Sequence, residues 1–315
     1  MLPADGTRAL DEQPGSRSGP RTKVLYVSGW FRSGSTVLGQ TLGSIDGFFF
    51  GGELRYAWRD TARNELCACG APYSDCATWQ PIMERLRERG LIDRQAVASL
   101  DERLLSTRHL RSLIAARGAR GRHAAAFEAY RRSLDELYSA VADRTSARVI
   151  VDTSKAPTYA LALQTIPSLD VYVVHLVRDP RATTFSRLRD STGVDLGIAG
   201  SAVLWSAWNG LASRHKRKGR YLLVRYEDFA RRPIDIVRRT LDLLDEPADA
   251  LPFVDEETVR LGTGHSIAGN RVRSRSGDVR ISPDEKWRSE LGLGARLVVG
   301  TLTWPLRYRY GYVKS

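Results

Sequence analysis

The sequence predicts an α/β fold in three layers, a parallel sheet with helices on both faces, and three observations carry that prediction. Short apolar runs at residues 23–28, 148–151, 171–177 and 221–225 stop at Gly29, Asp152, Arg178 and Tyr226. Helical patterns alternate with them, at residues 180–189 and 201–218 among others. Strands that are apolar throughout belong to a sheet buried on both faces, which requires crossover helices. Finally, residues 78–147 are dense in Leu, Ala, Arg and Glu with no proline after Pro81, which predicts a helical insertion.

Taken in chain order, residues 1–21 are rich in Gly, Pro, Ser and Arg and lack an apolar core segment. They read as a disordered tail and not as a signal peptide. Residues 22–315 then form a single domain. The first strand carries Val24, Leu25, Tyr26 and Val27 and stops at Gly29; a helix starts near Ser35 with Val37, Leu38 and Leu42 on one face. The second strand ends at Asp152, the third at Arg178 and the fourth at Tyr226. Asp179 followed by Pro180 fits an N-cap and a first helical position. Residues 262–284 show little periodicity and are expected to form a long functional loop.

Composition narrows the partners. The 315 residues carry a formal charge of +12, so the partner is expected to be anionic. Apolar residues make up 42% of the chain, enough for an ordinary buried core. The three cysteines all fall within residues 67–76, which excludes a secreted disulfide framework. The most apolar stretch, residues 291–305, is interrupted by Arg296 and three glycines and is too short to span a bilayer. A cytoplasmic protein is the expectation.

In open parallel sheets, ligands sit beyond the carboxyl ends of the strands. The polar segments at residues 29–36, 152–155, 178–181 and 226–228 all follow strands directly, so they gather on one rim. Gly29, four residues, then Gly34, Ser35 and Thr36 nearly match the P-loop pattern, with strand before and helix after. Backbone N–H groups at that helix start suit an anion. Ser35 stands where a P-loop has lysine, and a cation appears earlier as Arg32. A shorter phosphate chain than a triphosphate follows.

These segments resemble the sulfotransferases that use 3′-phosphoadenosine 5′-phosphosulfate (PAPS). Arg32-Ser33-Gly34-Ser35-Thr36 is similar to their 5′-phosphosulfate-binding motif. Arg178-Asp179-Pro180-Arg181 with Ser186 is similar to their 3′-phosphate motif, in which the first arginine and the later serine hold the phosphate. Val224-Arg225-Tyr226-Glu227-Asp228 resembles the segment whose tyrosine lies near the adenine. The resemblance runs from about residue 22 to 290 and implies a P-loop-NTPase-like three-layer fold, PAPS as co-substrate, and adenosine 3′,5′-bisphosphate as product.

Gly51-Gly52-Glu53-Leu54-Arg55 resembles the Gly-Glu-x-Arg region of tyrosylprotein sulfotransferases and related bacterial enzymes. It implies Glu53 as general base and Arg55 as a substrate contact, where cytosolic sulfotransferases use a histidine. A carboxylate within reach of the acceptor hydroxyl is suited to take its proton. Lys155 closes the second strand's polar run, and with Arg32 it would meet the negative charge that grows on the leaving phosphate. Residues 265–273 resemble the loop that closes over the nucleotide in bacterial enzymes, with Arg271, then Arg273, as the arginine for the 3′-phosphate. His265 is an alternative base, and Trp287 is expected to anchor the loop by packing.

Other features read as structural. Cys67, Cys69 and Cys76 offer three thiols where structural zinc takes four ligands. A fourth ligand would have to come from His109 or His123, far along the chain, so reduced thiols and no metal are expected. The run Arg214-His215-Lys216-Arg217-Lys218-Gly219-Arg220 fits a helix C-terminus. It lacks the interleaved aromatics of a nucleic-acid platform, so no nucleic acid is expected. Trp205 and Trp208 are assigned to core packing. Trp304, Tyr308, Tyr310 and Tyr312 with neighbouring arginines allow peripheral membrane contact at most. The expected acceptor is a carbohydrate, a glycolipid or another small-molecule hydroxyl. The rival readings are a divergent ATP-using kinase and a non-catalytic nucleotide- or nucleic-acid-binding protein.

Overall fold

The structure is a computed structural model, and it describes residues 21–90, 97, 124–189 and 196–313. Its elements run β1 (Thr22–Gly29), α1 (Ser35–Gly43), β2 (Phe48–Gly52), α2 (Ala57–Ala62), α3 (Trp79–Glu88), α4 (Ala124–Thr145), β3 (Val149–Lys155), α5 (Pro157–Leu163), β4 (Leu169–Val177) and α6 (Pro180–Leu188). They continue with α7 (Gly197–Ala212), β5 (Tyr221–Arg225), α8 (Tyr226–Arg231), α9 (Pro233–Leu244), β6 (Thr258–Leu261), β7 (Gly277–Arg280), α10 (Trp287–Glu290), α11 (Leu293–Leu302) and α12 (Trp304–Arg309). Short 3₁₀ turns occupy Leu54–Tyr56, Ser213–Lys218 and Arg271–Ser274.

The main sheet is wholly parallel, in the order β2-β3-β1-β4-β5. Alternation along β1 sends its residues to two cores. Val24 and Tyr26 pack with Ile150, Val171 and Val173 on the face that α4 and α5 cover. Leu25 and Val27 pack with Val149, Val151, Val174 and Leu176 on the face that α1 and α9 cover. All four β1 residues are at most 1% exposed, so each gives up nearly its whole apolar surface, about 1.5–3 kcal/mol per aliphatic side chain. Parallel pairing aligns every strand's carboxyl end, and the polar segments converge there as predicted.

Three sequence expectations change. The strand at Phe48–Gly52 escapes periodicity because it is three phenylalanines followed by two glycines; it nevertheless forms the sheet edge beside β3. The second predicted strand runs on through Lys155, whose φ of 64° ends it. The predicted loop at 262–284 contains β7, which pairs antiparallel with β6. Of the predicted helical insertion, α3 and α4 are present, and most of the segment between them lies outside the described residues, as do His109 and His123.

Local signals held where a side chain enforces them. Asp179 caps α6 by accepting from the Arg181 N–H at 2.8 Å, a contact worth about 1 kcal/mol. No helix among the described residues is long and apolar enough to cross a membrane. Trp304 and Tyr308 are exposed and stacked on each other. Tyr310 and Tyr312, by contrast, are core residues; Tyr312 donates its hydroxyl to Glu227 at 2.7 Å. Only half of that aromatic group therefore faces solvent.

Candidate active site

The phosphate loop turns between β1 and α1. Gly34 has φ 88° and precedes the helix, and a Cβ there would lie 2.6 Å from the Tyr226 ring. Only glycine satisfies both constraints. Ser35 and Thr36 open α1 and are buried. The α1 N-terminal N–H groups thus point out of the carboxyl rim, where an anion suits them. The Ser33 hydroxyl is 1% exposed as a residue and its oxygen has no hydrogen-bond partner among the described residues. A buried polar group left this way is costly, and a phosphate or sulfate oxygen in the loop would satisfy it.

Glu53 follows β2 and Lys155 ends β3, adjacent strands of one sheet. Their side chains form an ion pair at 2.5 Å with both residues at most 8% exposed. The Lys155 ammonium also donates to the Thr153 carbonyl at 3.2 Å, and it lies 5.8 Å from the Phe31 ring centroid. Two residues that sequence reasoning proposed separately, 102 positions apart, are thus one charge pair at the rim. Arg55 lies in the 3₁₀ segment that follows Glu53, its N–H donating to the Ser154 hydroxyl at 3.0 Å and its guanidinium carbon 5.9 Å from the Tyr56 ring centroid.

Behind the pair lies a buried carboxylate that the sequence reading treated only as a strand end. Asp152 is fully buried and accepts from the Ser154 N–H at 2.7 Å, the Ser154 hydroxyl at 2.5 Å and the Tyr138 hydroxyl. Burial pushes its carboxyl up to about 6, against those hydrogen bonds, which pull it down. Through Ser154 this network fixes the backbone at Arg55. Two tryptophans assigned to packing also hold the site's backbone. The Trp208 indole donates to the Lys155 carbonyl at 3.3 Å, and the Trp205 indole to the Arg178 carbonyl at 3.1 Å.

The predicted 3′-phosphate group assembles on the other side of the loop. Arg178, 6% exposed, donates to the Arg32 carbonyl at 3.0 Å and to the Asp284 backbone and carboxylate, each at 3.0 Å. Its guanidinium carbon lies 4.4 Å from the Tyr226 ring centroid, a cation–π contact. Its Nε is buried with no partner among the described residues. The Arg32 Nε donates to the Ser186 hydroxyl at 2.9 Å, so the loop's arginine reaches across to α6. Tyr226 underlies Gly34 and Arg178 at once, with its hydroxyl accepting from the Asp284 N–H at 3.3 Å. Arg181 is committed to Asp179 at 2.6 Å and covers the Trp287 ring at 4.5 Å. Trp287 packs beside Ala182 of α6 and Leu291.

Residues 265–275 lie over α1 and the end of β2. Ile267 bonds to both sides of the β2 terminus, its carbonyl accepting from Glu53 N–H at 2.8 Å and its N–H donating to the Gly51 carbonyl at 2.9 Å. A Cβ on Gly269 would sit 3.5 Å from the Glu53 Oε1 and 3.9 Å from the Thr36 hydroxyl. Gln40 of α1 donates to the carbonyls of Arg273 and Arg275. The Arg273 guanidinium is turned to the Gly269 and Leu66 carbonyls, at 3.3 and 2.8 Å. Arg271 opens the 3₁₀ turn, and its side chain lies outside the described residues. His265 is turned toward the cysteines, its Nδ1 3.3 Å from the Cys76 sulfur. Away from the rim, the buried His175 is spent between Tyr221 and Asn209, and burial pulls it down to about 4.

The comparisons with known proteins point to one family. The model of the sulfotransferase family matches residues 25–250. Mouse carbohydrate sulfotransferase 3 is 28% identical over 174 residues, which cover 46% of this chain and 34% of the relative. Mouse carbohydrate sulfotransferase 5 is 36% identical over 95 residues, 23% of this chain and 24% of the relative. The chain thus spans about a third of the length, or less, of the curated relatives it matches. Among solved structures, the sulfotransferase domain of the Synechococcus PCC 7002 olefin synthase superposes with a TM-score of 0.50 at 22% identity. That match covers 94% of this chain and 98% of the domain, and it speaks for the fold. A match to the family model across most of the chain, spanning the phosphate loop, Glu53, Lys155 and Arg178, places this protein in the sulfotransferase family.

Proposed function

We propose that the protein transfers a sulfuryl group from PAPS to a hydroxyl of a carbohydrate or other glycan-bearing acceptor. The observation that carries this reading is the buried Glu53–Lys155 pair at 2.5 Å beside the phosphate loop. A base and an acid-side cation are thereby held at one strand-end rim, facing the place where an anion suits the α1 N-terminus. Two buried donors at the rim that have no partner among the described residues, Ser33 Oγ and Arg178 Nε, fit a ligand with phosphate or sulfate groups at both ends of the crevice. The carbohydrate sulfotransferases among the relatives favour a glycan acceptor.

When bound, PAPS supplies the sulfur: the acceptor oxygen bonds to it while the bond from sulfur to the 5′-phosphate oxygen breaks, and that oxygen keeps the electron pair. Glu53 takes the acceptor hydroxyl's proton at its carboxylate. Lys155, released from part of its pairing as Glu53 is protonated, faces the oxygen on which negative charge grows. Arg32 adds a second cation from the loop side, with Ser186 orienting its guanidinium. Arg178 and Ser186 hold the 3′-phosphate, Tyr226 positions the adenine end, and Arg271 with Arg273 are the candidates to close over it. Arg55 is the proposed acceptor contact. Burial of the ion pair makes these charges count for more than they would in water. No step on this chain's residues calls for a divalent ion.

Nucleotide preference tests the donor. Adenosine 3′,5′-bisphosphate at about a hundred times its dissociation constant stabilises a binding protein by about 2.7 kcal/mol. A clear rise in melting temperature with that nucleotide, larger than with ATP, is expected. A rise with ATP alone would favour the kinase reading, and a rise with an oligonucleotide alone would favour the nucleic-acid reading.

A further inference from the structure

Beside the crevice, four soft donor atoms meet that the proposed reaction does not use. The Cys76 sulfur lies 3.6 Å from that of Cys67 and 3.8 Å from that of Cys69. The His265 Nδ1 lies 3.3 Å from the Cys76 sulfur and 3.9 Å from the Cys67 sulfur. All four atoms fall within 4.8 Å of one another. Tetrahedral zinc with bonds of about 2.3 Å to sulfur and about 2.0–2.1 Å to nitrogen spaces its ligands about 3.6–3.8 Å apart. The observed spacings centre on those values. A disulfide would need two of the sulfurs at about 2.0 Å, and all three cysteines are free thiols.

The backbone is shaped for the same purpose. Cys67-Ala68-Cys69-Gly70 forms a tight turn in which Gly70, at φ 90°, donates its N–H to the Cys67 carbonyl at 2.9 Å. The Cys69 N–H is directed at the Cys67 sulfur and the Ala71 N–H at the Cys69 sulfur. N–H groups aimed at ligand sulfurs are outer contacts that hold such ligands in place around a metal. The fourth donor comes from neither His109 nor His123 but from His265, 189 positions beyond Cys76. Sequence spacing hides it for that reason. Its carbonyl is gripped by the Trp79 indole, and the next carbonyl, of Ser266, accepts from the Ala68 N–H at 3.3 Å.

We propose that Cys67, Cys69, Cys76 and His265 bind one zinc ion in a closed, four-ligand site. Three sulfurs and an imidazole nitrogen in tetrahedral spacing select zinc over magnesium or calcium, which take oxygen. With every position filled by protein, the ion is structural. It ties the 67–76 turn to the segment that continues through Ile267 and Gly269, the residues in contact with Glu53 and its strand. The zinc therefore clamps the wall of the crevice on the side of the proposed base. The inference stands on the donor geometry alone and does not require PAPS as donor.

Elemental analysis of the full chain, purified without chelator, tests it. The expected result is about one zinc per chain. After zinc is removed and replaced by cobalt, the ligand-field and thiolate-to-metal bands of a tetrahedral cobalt site should appear. Cys69→Ser and His265→Ala should each lose most of the zinc. Cys69 and His265 are the two partly exposed members of the set, so both variants are expected to keep a folded circular dichroism spectrum. A folded wild-type chain with no zinc and no cobalt–thiolate bands would overturn the proposal. So would a disulfide between any two of the three cysteines in the purified protein, or zinc content unchanged in both variants.

Discussion

Glu53→Gln should lower turnover by about 10²–10⁴-fold while adenosine 3′,5′-bisphosphate still binds with near wild-type affinity. The substitution keeps the shape of a side chain that is 8% exposed, and its amide oxygen can still accept from Lys155. What disappears is the ability to take a proton. Removing one partner's charge from a buried pair also destabilises, by up to about 3–5 kcal/mol when nothing replaces it. A melting curve must therefore accompany the assay. Loss of turnover in a folded variant that still binds nucleotide supports the base assignment. Turnover close to wild type would exclude it and move the role to another residue of the rim.

Arg178→Ala carries the second large effect, on affinity rather than on the chemical step. Charge-assisted hydrogen bonds contribute about 1.5–3 kcal/mol each, so adenosine 3′,5′-bisphosphate should bind roughly 10–100-fold more weakly. Arg178→Lys should recover only part of this, since an ammonium lacks the planar fork that reaches Arg32, Asp284 and the ligand together. Asp284→Asn is the informative companion. It relaxes one of Arg178's two tethers to that residue without removing the guanidinium, so nucleotide affinity should hold or rise. If Arg178→Ala left the affinity unchanged, the guanidinium would be a structural strut between the phosphate loop and residue 284, and the 3′-phosphate site would lie elsewhere.

Much of the fold was legible because its central strands are apolar on both faces, which periodicity detects directly. Val24 to Val27 left no other reading. The edge strand at Phe48–Gly52 was missed because its glycines look like a turn, and only pairing with β3 makes it a strand. The same gap explains why Glu53 and Lys155 appeared as two separate candidates: without β2 beside β3, nothing in the sequence brings them together. Motif matching picked out the loop, Arg178 and Ser186 as candidates. It missed how those residues are held, since the Asp284 contact to Arg178 and the Trp205 and Trp208 bonds to backbone carbonyls all join distant segments. Asp152 was read as a strand terminus because burial, which raises its carboxyl and gives it Tyr138 and Ser154 as partners, is a property of the folded chain.

The zinc ligands show the same limit most sharply. A Cys-x-Cys pair with a third cysteine nearby was visible, but a tetrahedral site needs a fourth donor. A search for histidines before the next strand finds His109 and His123, and the structure supplies His265. The residue first weighed as a second base thus becomes a ligand, which leaves Glu53 without a rival among the described histidines at the rim.

The most direct test of the central claim is a transfer assay with sulfur-labelled PAPS and a panel of glycan acceptors, run on wild type and Glu53→Gln with both products counted. The predicted result is label on an acceptor hydroxyl and adenosine 3′,5′-bisphosphate released one for one by wild type, with both falling together in the variant. Binding of adenosine 3′,5′-bisphosphate being absent, and label remaining on PAPS whatever acceptor is supplied, would contradict it.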